Sequence, residues 1–294
     1  MSFRASELIY NTDGTVFHLA LHPEQLASTV FLVGDPGRVE KVSHFFDRVE
    51  HRVAKREFVT HTGYIGSRRL SVVSTGIGTD NIDIVLNELD ILQNVDREKK
   101  ELKSEFKPLT IIRLGTSGAF QKGIEPGSVV LSKFALGLDN LMHFYAAREV
   151  MATELLANFE CFADEHFKLP VQPYAFQSDP ELFLHFSGQF IQHGITLTLP
   201  GFYGPQGRQL RAPLYSDAIW NALPDFQWNK LRITNLEMES SGIYGLSRLL
   251  GHQALSINLI LANRVKGTFL SDPGTAMSSM ISKVLSNLPH ELTT

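Results

Sequence analysis

The sequence predicts an α/β fold, and three observations predict it. Short apolar, β-rich runs alternate with stretches of helical periodicity along the chain. Several of these runs end in glycine-containing turns, as strand-to-helix junctions commonly do. At 294 residues, one large domain covering residues 1–294 is expected rather than two full ones.

Thr29–Val33 is the first expected strand, ending at Gly34-Asp35-Pro36-Gly37-Arg38. Leu70–Ser74 is the second, ending at Thr75-Gly76-Ile77-Gly78. Beyond Gly78, Ile82, Val85, Leu86, Leu89 and Leu92 recur at helical spacing, with Asp80 or Asn81 placed to cap that helix. Asn94–Pro108 is rich in Lys, Glu, Asp and Arg and reads as a solvated helix end or surface loop. Leu109–Leu114 is the third strand, ending at Gly115-Thr116-Ser117-Gly118; Val129–Leu131, Ile195–Leu199 and Leu255–Leu261 are further strands. A helix is expected over Glu239–Leu250, with Ile243, Leu246, Leu249 and Leu250 on one side and Gly251 as its stop. Met277, Met280, Ile281, Val284, Leu285 and Leu288 mark a last helix. These stripes read as core faces.

Composition narrows the function classes. Apolar residues make up 43% of the chain, enough for a substantial core. A formal net charge of -4 gives no sign of a nucleic-acid surface. The single cysteine, Cys161, rules out a disulfide within one chain and leaves a cysteine-based zinc site without support, so no metal site is expected. The longest apolar run, near Leu255–Ala262, is far short of a membrane span and contains Ser256 and Asn258. Met1–Gly14 carries Arg4, Glu7 and Asp13 and does not read as a signal peptide, so a reduced cytoplasm is the expected location.

The glycine turns are candidate anion cradles. Backbone N–H groups approach an anion closely where glycine removes the side chain, and arginine adds a fork matched to phosphate oxygens. Arg38 lies four residues after Gly34, and Arg113 stands just before Gly115. A single turn of this kind is as often a plain turn; two with arginines say more. No GxxxxGK[ST] occurs and no GxGxxG follows a strand, which argues against an ATPase and an NAD enzyme.

Four segments occur in order: Val33-Gly34-Asp35-Pro36-Gly37-Arg38-Val39, Ser74-Thr75-Gly76-Ile77-Gly78, Arg113-Leu114-Gly115-Thr116-Ser117-Gly118-Ala119 and Glu237-Met238-Glu239-Ser240. Together, from about Val16 to about Thr268, they resemble the nucleoside phosphorylase superfamily, in its branch of uridine phosphorylases and small-subunit purine nucleoside phosphorylases. The resemblance implies a three-layer α/β/α sandwich around a mixed sheet curled toward a barrel. It also implies phosphorolysis, in which nucleoside and phosphate give free base and ribose 1-phosphate.

Carried over by position, Gly34, Arg38, Arg113 and Thr116 would bind phosphate, and Arg56 would be donated by a neighbouring subunit. His18 would cross the same interface to the ribose 5′-hydroxyl; Glu237, Met238 and Glu239 would form the ribose floor. Pro200–Arg208 is similar to the uridine phosphorylase base segment, so Phe202 would stack on the base while Gln206 and Arg208 read uracil, beside Ser117 and Gly118. The chemistry agrees: uracil offers O2 and O4 acceptors and an N3–H donor, glutamine both donates and accepts, and arginine donates. Purine enzymes of this branch place an aspartate where this chain has Asn263, followed by Arg264.

The resemblance also implies Arg38, Arg113, Arg208 and Gln206 as the catalytic set, a homodimer or a hexamer built from dimers, and no cofactor beyond the co-substrate phosphate. Some relatives hold potassium between subunits, and Glu57 and Ser74 sit where it would be. The chain departs from the pattern at Thr79-Asp80-Asn81, at Ser117, at Gly201 and in the length of Asn94–Pro108.

Each residue also has an ordinary reading. Arg38 and Arg56 would be surface charges, His18 a satisfied core histidine, Glu239 a carboxylate favoured at a helix start, Phe202 core, and Gln206 and Arg208 a polar loop. Three rivals therefore stand beside a uridine phosphorylase: a purine nucleoside phosphorylase, a hydrolytic nucleosidase and a non-enzymatic binding protein.

Overall fold

The structure is a computed structural model and describes residues 3–289. Its strands are β1 (Thr29–Val33), β2 (Arg48–Lys55), β3 (Phe58–Ile65), β4 (Arg68–Ser74), β5 (Val95–Asp96), β6 (Glu101–Leu102), β7 (Thr110–Ala119), β8 (Val129–Gly137), β9 (Tyr174–Gln177), β10 (Gln192–Thr198), β11 (Gln227–Trp228), β12 (Leu231–Glu237), β13 (Gln253–Asn263) and β14 (Thr268–Phe269). Its α-helices are α1 (Pro36–Ser43), α2 (Thr79–Asn94), α3 (Thr153–His166), α4 (Pro180–Ser187), α5 (Ala218–Ala222), α6 (Ser240–Leu250) and α7 (Pro273–Ser286).

One mixed sheet runs in the order β11-β12-β10-β8-β13-β7-β1-β4-β3-β2. β12 also pairs antiparallel with β7, through Asn235↔Ala119 and Leu236↔Gly118. That pairing closes β12, β10, β8, β13 and β7 into a ring, while β1, β4, β3 and β2 continue outward as an open sheet. The expected sandwich with a partly barrel-like sheet is the fold observed.

Successive side chains of a strand point to opposite faces, and β1 shows the result. Val30 and Leu32 enter a core with α2 and α6; Phe31 and Val33 enter another with α1, α4 and α7. Both faces of β1 are buried, as its unbroken apolar run requires. A third core joins α3 and α5 to Ile195, Leu197, Ile233 and Leu236 on the ring strands.

Four expectations need correction. Gly115-Thr116-Ser117-Gly118 is no turn after the third strand but part of β7, paired with β13 throughout. Neither Asp80 nor Asn81 caps α2; the N-cap position is Gly78, whose φ of 99° suits glycine, and Asp80 instead lies in the first turn. The segment Asn94–Pro108 is not wholly a loop, because Val95–Asp96 pairs antiparallel with Glu101–Leu102. The turn at Gly34–Arg38 continues into α1, with Asp35 capping the Gly37 N–H at 2.9 Å and Pro36 opening the first turn. Gly251 does stop α6, in the left-handed conformation with φ 78°.

Candidate active site

A cavity of about 710 Å³ collects the loops after β1, β4, β10 and β12 with the outer parts of β7 and β13. Its wall includes Gly34, Arg38, Arg113, Thr116, Ser117, Gly118, Phe202, Gln206, Arg208, Glu237, Met238 and Glu239. Those are all the residues named for phosphate, ribose and base except Arg56 and His18. Arg56 is exposed at the β2–β3 turn with φ 55°, and His18 lies on the segment before β1; neither lines this cavity.

Arg113 is the most constrained group of the site. Its Nη2 donates to Glu239 Oε2 at 2.5 Å and stands 3.3 Å from Glu237 Oε2. On the other edge, Nη1 donates to Asn258 Oδ1 at 2.6 Å and, weakly, to Ser256 Oγ at 3.5 Å. Burial lowers the proton affinity of this guanidinium, but the two carboxylates outweigh it and hold the group above its ordinary value. The buried charge thus has the partners that burial demands.

Arg113 fits only because Gly115 has no side chain. A Cβ there would lie 2.5 Å from Arg113 Cζ and 2.6 Å from Asn258 Oδ1. Gly76, with φ 71°, makes a second close approach, and a Cβ there would meet Glu57 Cγ at 3.1 Å.

Glu237 and Glu239 divide the work. Glu237 accepts from Thr198 Oγ1 at 2.5 Å, from the N–H groups of Glu239 and Ser240, and from Ser240 Oγ at 3.0 Å. Its carboxylate therefore caps α6 and fixes the floor, although burial pushes its proton affinity up. Glu239 accepts from the Gly78 N–H at 2.9 Å and from Arg113. Each of its oxygens thus takes one hydrogen bond and has a lone pair left to accept another.

Arg38 approaches from α1, where Nη1 donates to the Leu114 carbonyl at 3.1 Å. Burial first, and then the nearby Arg113 charge, lower its proton affinity. Two guanidinium groups that disfavour each other's charge are stabilised together by an anion.

On the β10–α5 loop, Arg208 lies over the Phe202 ring, with Cζ 3.8 Å from the centroid. Its Nη1 donates to Gln206 Oε1 at 2.6 Å and to the Phe202 carbonyl at 2.5 Å. Burial, and then Arg264, push its pKa down to about 10. Phe202 is 52% exposed, so it is a wall of the cavity and not core.

Asn263 is occupied by its own turn. Its Nδ2 donates to the Gln121 and Ile124 carbonyls at 2.9 and 2.8 Å, and its Oδ1 accepts from the N–H groups of Val265 and Lys266. It can neither donate a proton to a base nor turn toward one.

Asp35, Ile77, Asn81 and Phe269, to which sequence reasoning gave no ligand role, also line the cavity, as does Glu57, which it had placed at a cation site. Asn81 Nδ2 donates to Glu57 Oε1 at 3.4 Å. The Ser74 hydroxyl is committed to the β3–β4 hairpin: it donates to the Glu57 carbonyl at 2.5 Å and accepts from the Val59 N–H at 2.7 Å. Position along the chain reveals none of these except Asp35, the signature N-cap before a proline. Among the described residues, no group of three or more His, Cys, Asp or Glu side chains could hold a metal ion. No helix there is long and apolar enough to cross a membrane.

A fold and a cavity of this kind define a class, and comparison with known proteins agrees on it. Residues 28–280 match the family model described as the phosphorylase superfamily, and the chain belongs to that family. It is 30% identical to the uridine phosphorylase of Thermococcus kodakarensis, covering 91% of this chain and 84% of that one. The uridine phosphorylase of Haemophilus influenzae is 29% identical, over 85% and 87% of the two chains. Among solved structures, a Trypanosoma brucei nucleoside phosphorylase described as showing uridine phosphorylase activity aligns with TM-score 0.87 and 29% identity, covering 96% of this chain and 99% of that one.

Proposed function

We infer that this chain catalyses the phosphorolysis of uridine, giving uracil and ribose 1-phosphate. One observation carries the reading: a single cavity is lined by Arg38 and Arg113, by Glu239, and by Gln206 and Arg208 beside Phe202. Those are the complements of a phosphate, a ribose and a uracil respectively. The names of the relatives support the same substrate.

In this reading a phosphate oxygen forms the bond to C1′ as the bond from C1′ to N1 breaks. The bonding pair leaves with uracil, whose charge spreads toward O2 and O4, and N1 finally takes a proton from water. Arg38 and Arg113 hold the phosphate against the anomeric carbon, and Thr116 and the Gly34 turn complete its cradle. Glu239 holds the 2′- and 3′-hydroxyls. Gln206 and Arg208 stabilise the departing anion, so catalysis is positioning and preorganised charge with no covalent intermediate.

Phosphate is then co-substrate, and no resident cofactor is assigned. Arg56 and His18 complete the site of a neighbouring subunit, which makes the active species at least a dimer. A cytoplasmic location accompanies this reading, consistent with one exposed thiol at Cys161 and no disulfide.

The test is to incubate the protein with uridine or inosine, with and without phosphate, and follow free base. Uracil released only with phosphate is expected. Hypoxanthine release would move the chain to the purine branch, and phosphate-independent release would make it a hydrolase. No release from either would leave a binding protein. Exchanging sodium for potassium in the same assay tests a monovalent cation.

A further inference from the structure

The closed ring has a polar interior. Among the buried polar side chains of its five strands are Ser117 on β7, Ser132 on β8, Thr196 on β10, Asn235 on β12 and Asn258 on β13. They form a continuous hydrogen-bonded chain. Asn258 Nδ2 donates to Ser132 Oγ at 3.1 Å; the Ser132 and Thr196 hydroxyls meet at 2.5 Å. Thr196 donates to Asn235 Oδ1 at 2.9 Å, and Asn235 Nδ2 donates to Ser117 Oγ at 3.0 Å. One end of this chain reaches Arg113 through Asn258, and the other ends on Ser117 in the cavity wall.

We propose that Asn258 is a positioning residue for phosphate: it fixes the inner edge of the Arg113 guanidinium so that the outer edge faces the cavity. The amide is held in one orientation. Its Nδ2 has hydroxyl oxygens within reach at Ser132 and Ser256, each at 3.1 Å, and its Oδ1 receives Nη1 of Arg113. A flipped amide would set two donors, Nδ2 and Nη1, against each other.

Asn258 is also uncharged, and that matters. Glu237 and Glu239 already bring two carboxylates to the outer edge. A third at position 258 would add a further negative charge beside the phosphate. An aliphatic side chain would free the inner edge and let the guanidinium follow its carboxylate partners. Nη2 is the edge that Glu239 shares, so orientation is maintained from the inner side while Glu239 turns between arginine and sugar.

The inference rests on the uridine phosphorylase reading for its kinetic form, and Asn258→Ala tests it. Losing one hydrogen bond to a charged group predicts a KM for phosphate raised about tenfold, with the KM for uridine within about twofold of wild type. Thr196→Val, which cuts the same buried chain away from Arg113, is the comparison. It should lower the melting temperature as well, yet leave the phosphate KM within about twofold. If Asn258→Ala does not fold, Asn258→Ser withdraws the acceptor from Arg113 while keeping a hydroxyl, and is read the same way. An unchanged phosphate KM in a folded variant, or equal rises in both KM values, overturns the proposal.

Calorimetry with inorganic phosphate separates the two inferences. Wild type that binds phosphate but releases no uracil defeats the uridine reading alone. Equal phosphate affinity in wild type and Asn258→Ala defeats the positioning role alone. No phosphate binding by wild type defeats both.

Discussion

Gly115→Ala should disable Arg113 without touching it. The added Cβ would sit 2.5 Å from Cζ of Arg113 and 2.6 Å from Asn258 Oδ1, and closer still to Nη1. Non-bonded contacts settle near about 3.5 Å, so the Nη1 end of the guanidinium must move by about 2 Å. The backbone is poorly placed to yield, because Gly115 pairs with Asn258 inside the long β7–β13 ladder. The guanidinium is the part that moves. A charge pair at about 4 Å is worth roughly 4 kcal/mol at an effective dielectric near 20. If about half of that is realised only in the transition state, kcat/KM for phosphate falls roughly thirtyfold.

Stability should fall with it. Glu237 and Glu239 are buried, and stripping a buried pair of one partner costs about 3–5 kcal/mol. That corresponds to a melting temperature lower by roughly 5–8 °C in a chain of this size. The assay is steady-state phosphorolysis with phosphate varied at saturating uridine, alongside a thermal melt. A Gly115→Ala protein with the phosphate KM and melting temperature of wild type would refute the close-approach argument.

Further outcomes can be checked in the same assay. Arg208→Ala should lower the turnover of uridine by about a hundredfold, the scale of one lost donor to a developing anion, while the protein stays folded; wild-type turnover would take Arg208 out of the base site. If Arg56 serves a neighbouring subunit, mixing inactive Arg56→Ala and inactive Arg38→Ala subunits of a two-fold dimer should restore about a quarter of the activity. No recovery after verified subunit exchange would place Arg56 elsewhere. Asn263→Asp should not create purine phosphorolysis, because its carboxylate would face the Gln121 and Ile124 carbonyls; it should instead cost about 1–3 kcal/mol of stability. Hypoxanthine release by that variant would contradict the structural role given to Asn263.

Much of the fold was legible where both faces of a strand are buried. β1, β4, β7 and β13 announce themselves as apolar runs because nothing solvated interrupts them. β2 did not, since Arg48–Lys55 alternates half-buried with exposed positions and puts charge at three of the exposed ones, Arg48, Glu50 and Arg52. α1 was missed although Asp35-Pro36 carries an N-cap and a first-turn proline, because the glycine at Gly37 drew attention to the turn. Of the site, the residue types were legible from the ordered motifs, and the cavity gathers most of them. Their partners were not. That Arg113 spends both edges on Glu239 and Asn258 depends on residues 126 and 145 positions further along the chain. Nor does a serine or asparagine in an apolar strand say whether it faces solvent or the inside of a ring, so Ser132, Thr196 and Asn258 passed as ordinary strand residues.

The ring is stitched very unevenly. β7 and β13 match along ten residue pairs, whereas β7 and β12 meet at two. Those two pairs, at Gly118–Ala119 and Asn235–Leu236, form a seam directly beside Ser117 and Glu237. Backbone pairing is sparsest there, and Asn235, whose Nδ2 donates to Ser117 Oγ at 3.0 Å, adds a side-chain stitch across the seam. The seam is thus held by a side chain of the same buried network that reaches Arg113 through Asn258.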